Sequence, residues 1–135
     1  MDKKFLKKII AQSQEDLQII SACCSGAKLK TNDIKYLSSN KIFLLSISRL
    51  NKEAEDKKRI INSIIKFDSI ESSKSKNIDQ NDLDSILELI AINVFKREHN
   101  FEITLLFSKN RIITLSAELI DVTLEDQKFI NDKNT

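Results

Sequence analysis

The spacing of hydrophobic residues changes once along this chain, from a helical to an alternating period. Between Ser13 and Ser25, Leu17, Ile20 and Cys24 follow i, i+3, i+7, and Ile19 and Cys23 widen the stripe. Ser13 is placed to cap this helix, with Gln14, Glu15 and Asp16 supplying acceptors and negative charge at the positive end of its dipole. Gly26 follows where a left-handed residue commonly ends a helix. Beyond it the period is mostly two. Ile42, Leu44, Ser46, Ser48 and Leu50 alternate with Phe43, Leu45, Ile47 and Arg49. Phe101, Ile103, Leu105 and Phe107 alternate with Glu102, Thr104, Leu106 and Ser108. Both stretches read as strands.

Short links precede the strands: Ser39-Asn40-Lys41 before one and Lys109-Asn110-Arg111 before another. Asparagine tolerates left-handed backbone best after glycine, so it is expected to stand in for glycine there. Successive strands on short turns imply an antiparallel meander. The last strand contains a phase slip. Ile113, Leu115, Ala117 and Leu119 share one side, but from Ile120 the apolar set moves to Ile120, Val122 and Leu124. A β-bulge at Leu119-Ile120, burying both and leaving Asp121 in solvent, would restore the core side. Leu83, Ile86, Leu87 and Ile90 fit a helix capped by Asp82, whereas the β-branched run from Ile90 to Phe95 fits a strand. A strand from about Ile86 to Lys96 is the preferred reading. Residues Lys52 to Lys58 and Ser72 to Asp84 are polar and read as exposed connections.

The expected fold is α+β, a single domain over residues 1–135 with residues 1–4 and 127–135 as loose tails. A short first strand and one N-terminal amphipathic helix pack on a curled antiparallel sheet of about six to seven strands. A barrel resembling the pleckstrin-homology class is one way to close such a sheet.

Composition then narrows the chemistry. The 135 residues are 41% hydrophobic and 31% charged with a net charge of +2, so no strong field steers nucleic acid or membrane. One glycine and no proline exclude glycine-rich phosphate loops, dinucleotide fingerprints and a G-x-S-x-G elbow. Lysine outnumbers arginine 18 to 4 and isoleucine outnumbers valine 21 to 2, a bias that AT-rich codons alone produce. No apolar run approaches the roughly 18 residues of a membrane helix, and the first eleven residues lack the apolar core of a signal peptide. Two adjacent cysteines cannot build a disulfide framework, which makes the cytoplasm the default compartment.

Several segments in order resemble a small alphaproteobacterial family classified only as a domain of unknown function. They are Glu15-Asp16-Leu17-Gln18-Ile19-Ile20-Ser21-Ala22-Cys23, Asp33-Ile34-Lys35-Tyr36-Leu37, Phe67-Asp68, Leu87-Glu88-Leu89-Ile90-Ala91-Ile92, and the run from Glu118 to Asp126. Where that family has glycine-rich turns, this chain has Asn77 and Lys109-Asn110. The resemblance implies a bacterial cytoplasmic protein and carries no activity with it.

Individual candidates read as structure. His99, between Glu98 and Asn100 in a hairpin link, has no second histidine to share a metal. Cys23 and Cys24 lie on the apolar stripe of the helix. Glu118, Asp121, Glu125 and Asp126 form the densest acidic group and read as a solvated strand face. Asp33, Lys35 and Tyr36 form a polar cluster whose aromatic tip suits a structural hydrogen bond. Lysines at 3–4, 7–8, 57–58 and in Lys74-Ser75-Lys76 lack the aromatic platforms of a nucleic-acid surface. No catalytic, cofactor-binding or metal residue is assigned, and no cofactor.

The expected function is therefore a non-enzymatic protein-binding or adaptor module, with a protein partner or self-association, no membrane contact, and nucleic acid disfavoured. The alternatives are a small enzyme or metabolite sensor using surface carboxylates, or a weak nucleic-acid binder. Unpaired sheet edges need no signature residues to bind a strand. Phe5 to Ala11 and Ile70 to Ile78 are the edge candidates, the first preferred because serines and lysines alternate along the second as a defended edge does.

Overall fold

The computed structural model describes residues 6–50 and 60–130. In chain order the elements are β1 (Lys8–Ala11), α1 (Gln14–Cys24), β2 (Lys28–Lys30), β3 (Ile34–Leu37), β4 (Ile42–Leu50), β5 (Ile60–Phe67), β6 (Ile70–Lys76), β7 (Ile86–Lys96), β8 (Phe101–Phe107), β9 (Arg111–Ala117) and β10 (Val122–Ile130). Single 3-10 turns, Thr31–Asp33 and Ser38–Asn40, flank β3. The α+β class with one helix and an antiparallel sheet is correct. The strand number is not: among the described residues the sheet has ten strands rather than six or seven. Its hydrogen-bonded path is open rather than a closed barrel, running β1-β10-β5-β4-β2-β7-β8-β9-β6 with β3 added to β4.

Two corners each divide a stretch of the chain into a pair of strands. β5 and β6 are separated by Asp68-Ser69, and β9 and β10 by the four residues Glu118 to Asp121. β10 pairs with β5 and β9 with β6, and the two corners lie together: Asp68 N–H donates to the Asp121 carbonyl at 2.9 Å and Glu118 N–H to the Ser69 carbonyl at 3.0 Å. The phase slip at Leu119-Ile120 is therefore a corner between strands, not a bulge within one. Ile120 and Val122 are buried, but Leu119 is 57% exposed at the turn and Asp121 is half-buried. The irregularity in β10 sits later, between Asp126 and Lys128.

β10 also reaches Ile130, whose backbone pairs with Ile60, so residues 127–130 are strand and not tail. Likewise Ser72 to Lys76 belongs to β6 rather than to an exposed connection. The expected tail 1–4 and the connection 52–58 lie outside the described residues. The strand reading for Ile86–Lys96 holds over its whole length.

A single buried cluster unites the halves of the sheet. Phe43, Leu45 and Ile47 of β4, Ile65 and Phe67 of β5, and Val122 and Leu124 of β10 meet Leu87, Leu89, Ile103, Leu105, Ile113 and Leu115 from β7, β8 and β9. Helix α1 packs Leu17, Ile20 and Cys24 into the same cluster. It also covers part of β7, where Ser21 Oγ accepts the Ile92 N–H at 2.9 Å. The helix starts as its sequence requires, with Ser13 Oγ accepting the Asp16 N–H at 3.1 Å.

The helix ends in a tight turn. Ala27 N–H donates to the Cys24 carbonyl at 2.9 Å, Ser25 has φ −62° and ψ 126°, and Gly26 has φ +89°. Those angles are those of a type II turn, whose third residue favours glycine. Elsewhere the chain makes left-handed turns without glycine, at Lys41, Ser69, Asn77, Lys109 and Asn110. Asparagine replaces glycine at residues 77 and 110, but in Ser39-Asn40-Lys41 the left-handed residue is the lysine.

No atom lies within 4 Å of the position a Cβ would take on Gly26, so the strain of substitution there is backbone strain alone. We expect Gly26→Ala to destabilise the protein by about 1 kcal/mol in chemical denaturation, and Gly26→Asn to cost less. Equal stability of Gly26→Ala and the parent would contradict a strained position.

Candidate functional site

The acidic group predicted from the sequence does not converge. Glu118 is exposed at the corner, with Lys41 Nζ 3.8 Å from its carboxylate. Asp121 lies in the same corner, and Glu125 is exposed on β10 opposite Lys8. Asp126 departs from the expected solvated face and is only 5% exposed. Its Oδ1 accepts from Ser63 Oγ at 2.6 Å and from Arg49 Nη2 at 3.1 Å, and its Oδ2 accepts from the Lys7 N–H at 2.9 Å. The Asp126 N–H in turn donates to the Lys7 carbonyl at 2.9 Å. Arg49 is 2% exposed, and its Nε also donates to Ser63 Oγ at 3.3 Å.

Parity on the strands produces this buried network. Arg49 follows Phe43, Leu45 and Ile47; Ser63 lies between Ile61 and Ile65; Asp126 follows Val122 and Leu124. Each therefore points to the core side, and Ser63 stands directly opposite Asp126 in the ladder. With both carboxylate oxygens engaged and water excluded, the network holds strands together and offers no reacting atom.

The remaining candidates lie apart from this network. His99 is exposed in the link between β7 and β8, and Cys24 is buried beside half-buried Cys23, neither in a disulfide. Asp33 Oδ2 accepts the Lys30 N–H at 3.0 Å, fixing the turn before β3. Among the described residues no three histidine, cysteine or carboxylate groups are placed to hold a metal ion. None of the described helices is long and apolar enough to cross a membrane. The lysines at 3–4 and 57–58 lie outside the described residues.

What the structure adds is a cleft of about 490 Å³ between β3 and β6. Its volume falls within the roughly 300–1,000 Å³ of ligand pockets. Ile34 and Tyr36 of β3, Phe43 of β4 and Ile113 of β9 give it apolar surface, while Ser73 and Ser75 of β6 line the opposite wall. Tyr36 sets the width at one end, its hydroxyl donating to the Ile70 carbonyl at 3.2 Å while its ring lies 6.2 Å from that of Phe43. At the other end the link between β6 and β7 is tied to the turn before β3, with Thr31 N–H on the Ser85 carbonyl and Asn32 N–H on the Leu83 carbonyl, both 3.0 Å. Lys35 also lines the cleft, and among the described residues no carboxylate, histidine or cysteine does.

Among the described residues the bounding strands are each laddered on one side only, β3 with β4 and β6 with β9. On the open side of β6 the Ile70 N–H donates to the Lys41 carbonyl at 2.9 Å, which leaves the residues beyond Ile70 as the open edge. Sequence reading had identified the polar cluster at Asp33, Lys35 and Tyr36 and the alternation in β6, but not that the two segments meet. They are more than thirty residues apart, and only the corner after β5 brings them together.

A family model described as protein of unknown function (DUF2948) matches residues 7–133, and the chain belongs to that family. No curated protein and no solved structure matches it.

Replacing Arg49 with methionine should destabilise the protein by about 3–5 kcal/mol, because the buried Asp126 carboxylate loses its counter-charge. Adding Asp126→Leu should restore a large part of that loss in chemical denaturation. Simple addition of the two losses would show that the side chains act independently.

Proposed function

We propose that the protein is a non-catalytic binding module that takes an extended segment of a partner protein into the cleft between β3 and β6. The observation that supports this most directly is the single-sided pairing of both strands on either side of an apolar-floored cleft. A strand with one neighbour presents main-chain N–H and C=O groups to an added strand, and the adjoining pocket receives alternate side chains. A lining of hydroxyl, amide and apolar groups with one cation, Lys35, supplies binding surface without a carboxylate, histidine or cysteine among the described residues.

The other sheet end is a poorer template. β1 has four residues and a smaller cavity of about 380 Å³ beside Lys8, whereas β6 has seven and opens on the cleft of about 490 Å³. The preference read from the sequence is thus reversed in favour of the Ile70 segment. A bacterial cytoplasmic setting suits this role, since two neighbouring cysteines outside any disulfide belong in a reducing compartment.

A photo-crosslinking amino acid placed at Ser75 in living cells tests the reading. Adducts should map to one contiguous stretch of a partner, at every second residue, and should be absent when the same probe replaces exposed His99. Identical adducts from both positions, or adducts scattered over unrelated segments, would remove the support for strand addition.

A further inference from the structure

We propose that the segment received along β6 alternates apolar and acidic residues; this rests on the reading of the cleft as a strand-addition site. The pleat of β6 sorts its side chains into two rows. Ser73 and Ser75 stand opposite the buried Leu115 and Ile113 of β9, so they belong to the row that lines the cleft. Lys74 and Lys76 stand opposite Thr114 and Ile112, and both lysines are exposed on the other row.

A strand added along the free side of β6 continues the same alternation. One of its rows enters the cleft above Tyr36, Phe43 and Ile113, where burial favours apolar side chains. Its other row stands beside Lys74 and Lys76, where directly opposed charges of opposite sign are favourable and like charges are not. Exposed Lys35 on β3 adds a third positive charge at the far lip.

Nearby carboxylates do not neutralise these lysines. Lys35, Lys74 and Lys76 make no ion pair among the described residues, whereas Lys30, Lys41 and Lys66 each have an acidic partner within 4 Å. Glu71, the acidic residue of β6, lies at the register shift and accepts from Ser116 Oγ at 3.4 Å. A row of lysines that keeps unwanted strands off an edge also selects the strand that carries complementary charge.

Fluorescence anisotropy with end-capped peptides matched to the seven residues of β6 tests the inference. A peptide alternating valine and glutamate should bind, more weakly as salt rises, and better than a valine–serine peptide. A valine–lysine peptide should not bind. Lys74→Ser and Lys76→Ser should each weaken the glutamate peptide by about two- to five-fold, leaving the serine peptide unchanged. Ser75→Trp, which fills the cleft, should abolish binding of both, with circular dichroism melting to confirm that the variant is folded.

Equal affinity for the glutamate and serine peptides would overturn the acidic preference and leave strand addition standing. Failure of every peptide would overturn both. Tighter binding of an oligothymidylate than of the glutamate peptide, lost in the same lysine variants, would assign the lysines to phosphate and also overturn the inference.

Discussion

The guanidinium of Arg49 can be buried only because the Asp126 carboxylate meets it at 3.1 Å, and that requirement fixes the relative position of four chain segments. Arg49 ends the inward row of β4, Ser63 sits in β5, Asp126 in β10, and Lys7 leads into β1. A shift of any one strand by a single residue would point its polar group to the opposite side and leave a charge alone in the core. Apolar rows tolerate a two-residue slip, which keeps them on the core side, because one branched side chain packs much like another. The ion pair does not, so it specifies the register that the hydrophobic pattern only favours.

Local features were the most legible part of the sequence. The cap at Ser13, the row Leu17, Ile20 and Cys24 of α1 and the turn at Gly26 depend on residues within a few positions of one another, and all three are found, although Ile19, read as widening that row, is 53% exposed. Strand alternation in β4 and β8 was equally direct. The corners were not, because a phase slip in an alternating stretch has two physical causes, a bulge within a strand or a break between two. Leu119 decides between them: a bulge keeps it in the core, whereas a corner leaves it at the turn in solvent. Taking Ile113 to Leu124 as one strand and Ser72 to Asp84 as a connection lowered the count below ten.

The polar core was legible in principle, through the placement of Arg49, Ser63 and Asp126 in otherwise apolar rows. What hid it was the density of charge near Asp126, which made a solvated face the simpler account. The cleft was less accessible still. Its walls come from segments that make no direct ladder with each other, and no rule of spacing relates Tyr36 to Ser73. A binding surface made from strand edges and hydroxyls has no sequence signature, which accounts for a chain so readable in its helix and so silent about its ligand.

The separation of Arg49 from Asp126, 77 residues along the chain, bears on how the protein is made. During synthesis the N-terminal half leaves the ribosome long before its counter-ion does, and Lys7 precedes Asp126 by 119 residues. β4 and β5 can meet early, but the inward end of β4 must stay hydrated until β10 arrives to accept it. Completion of this half of the sheet is therefore tied to the arrival of the last strand, and a chain truncated before residue 126 has no means of burying Arg49 with its charge balanced. The ion pair thus ties the sealing of this half of the core to the arrival of β10.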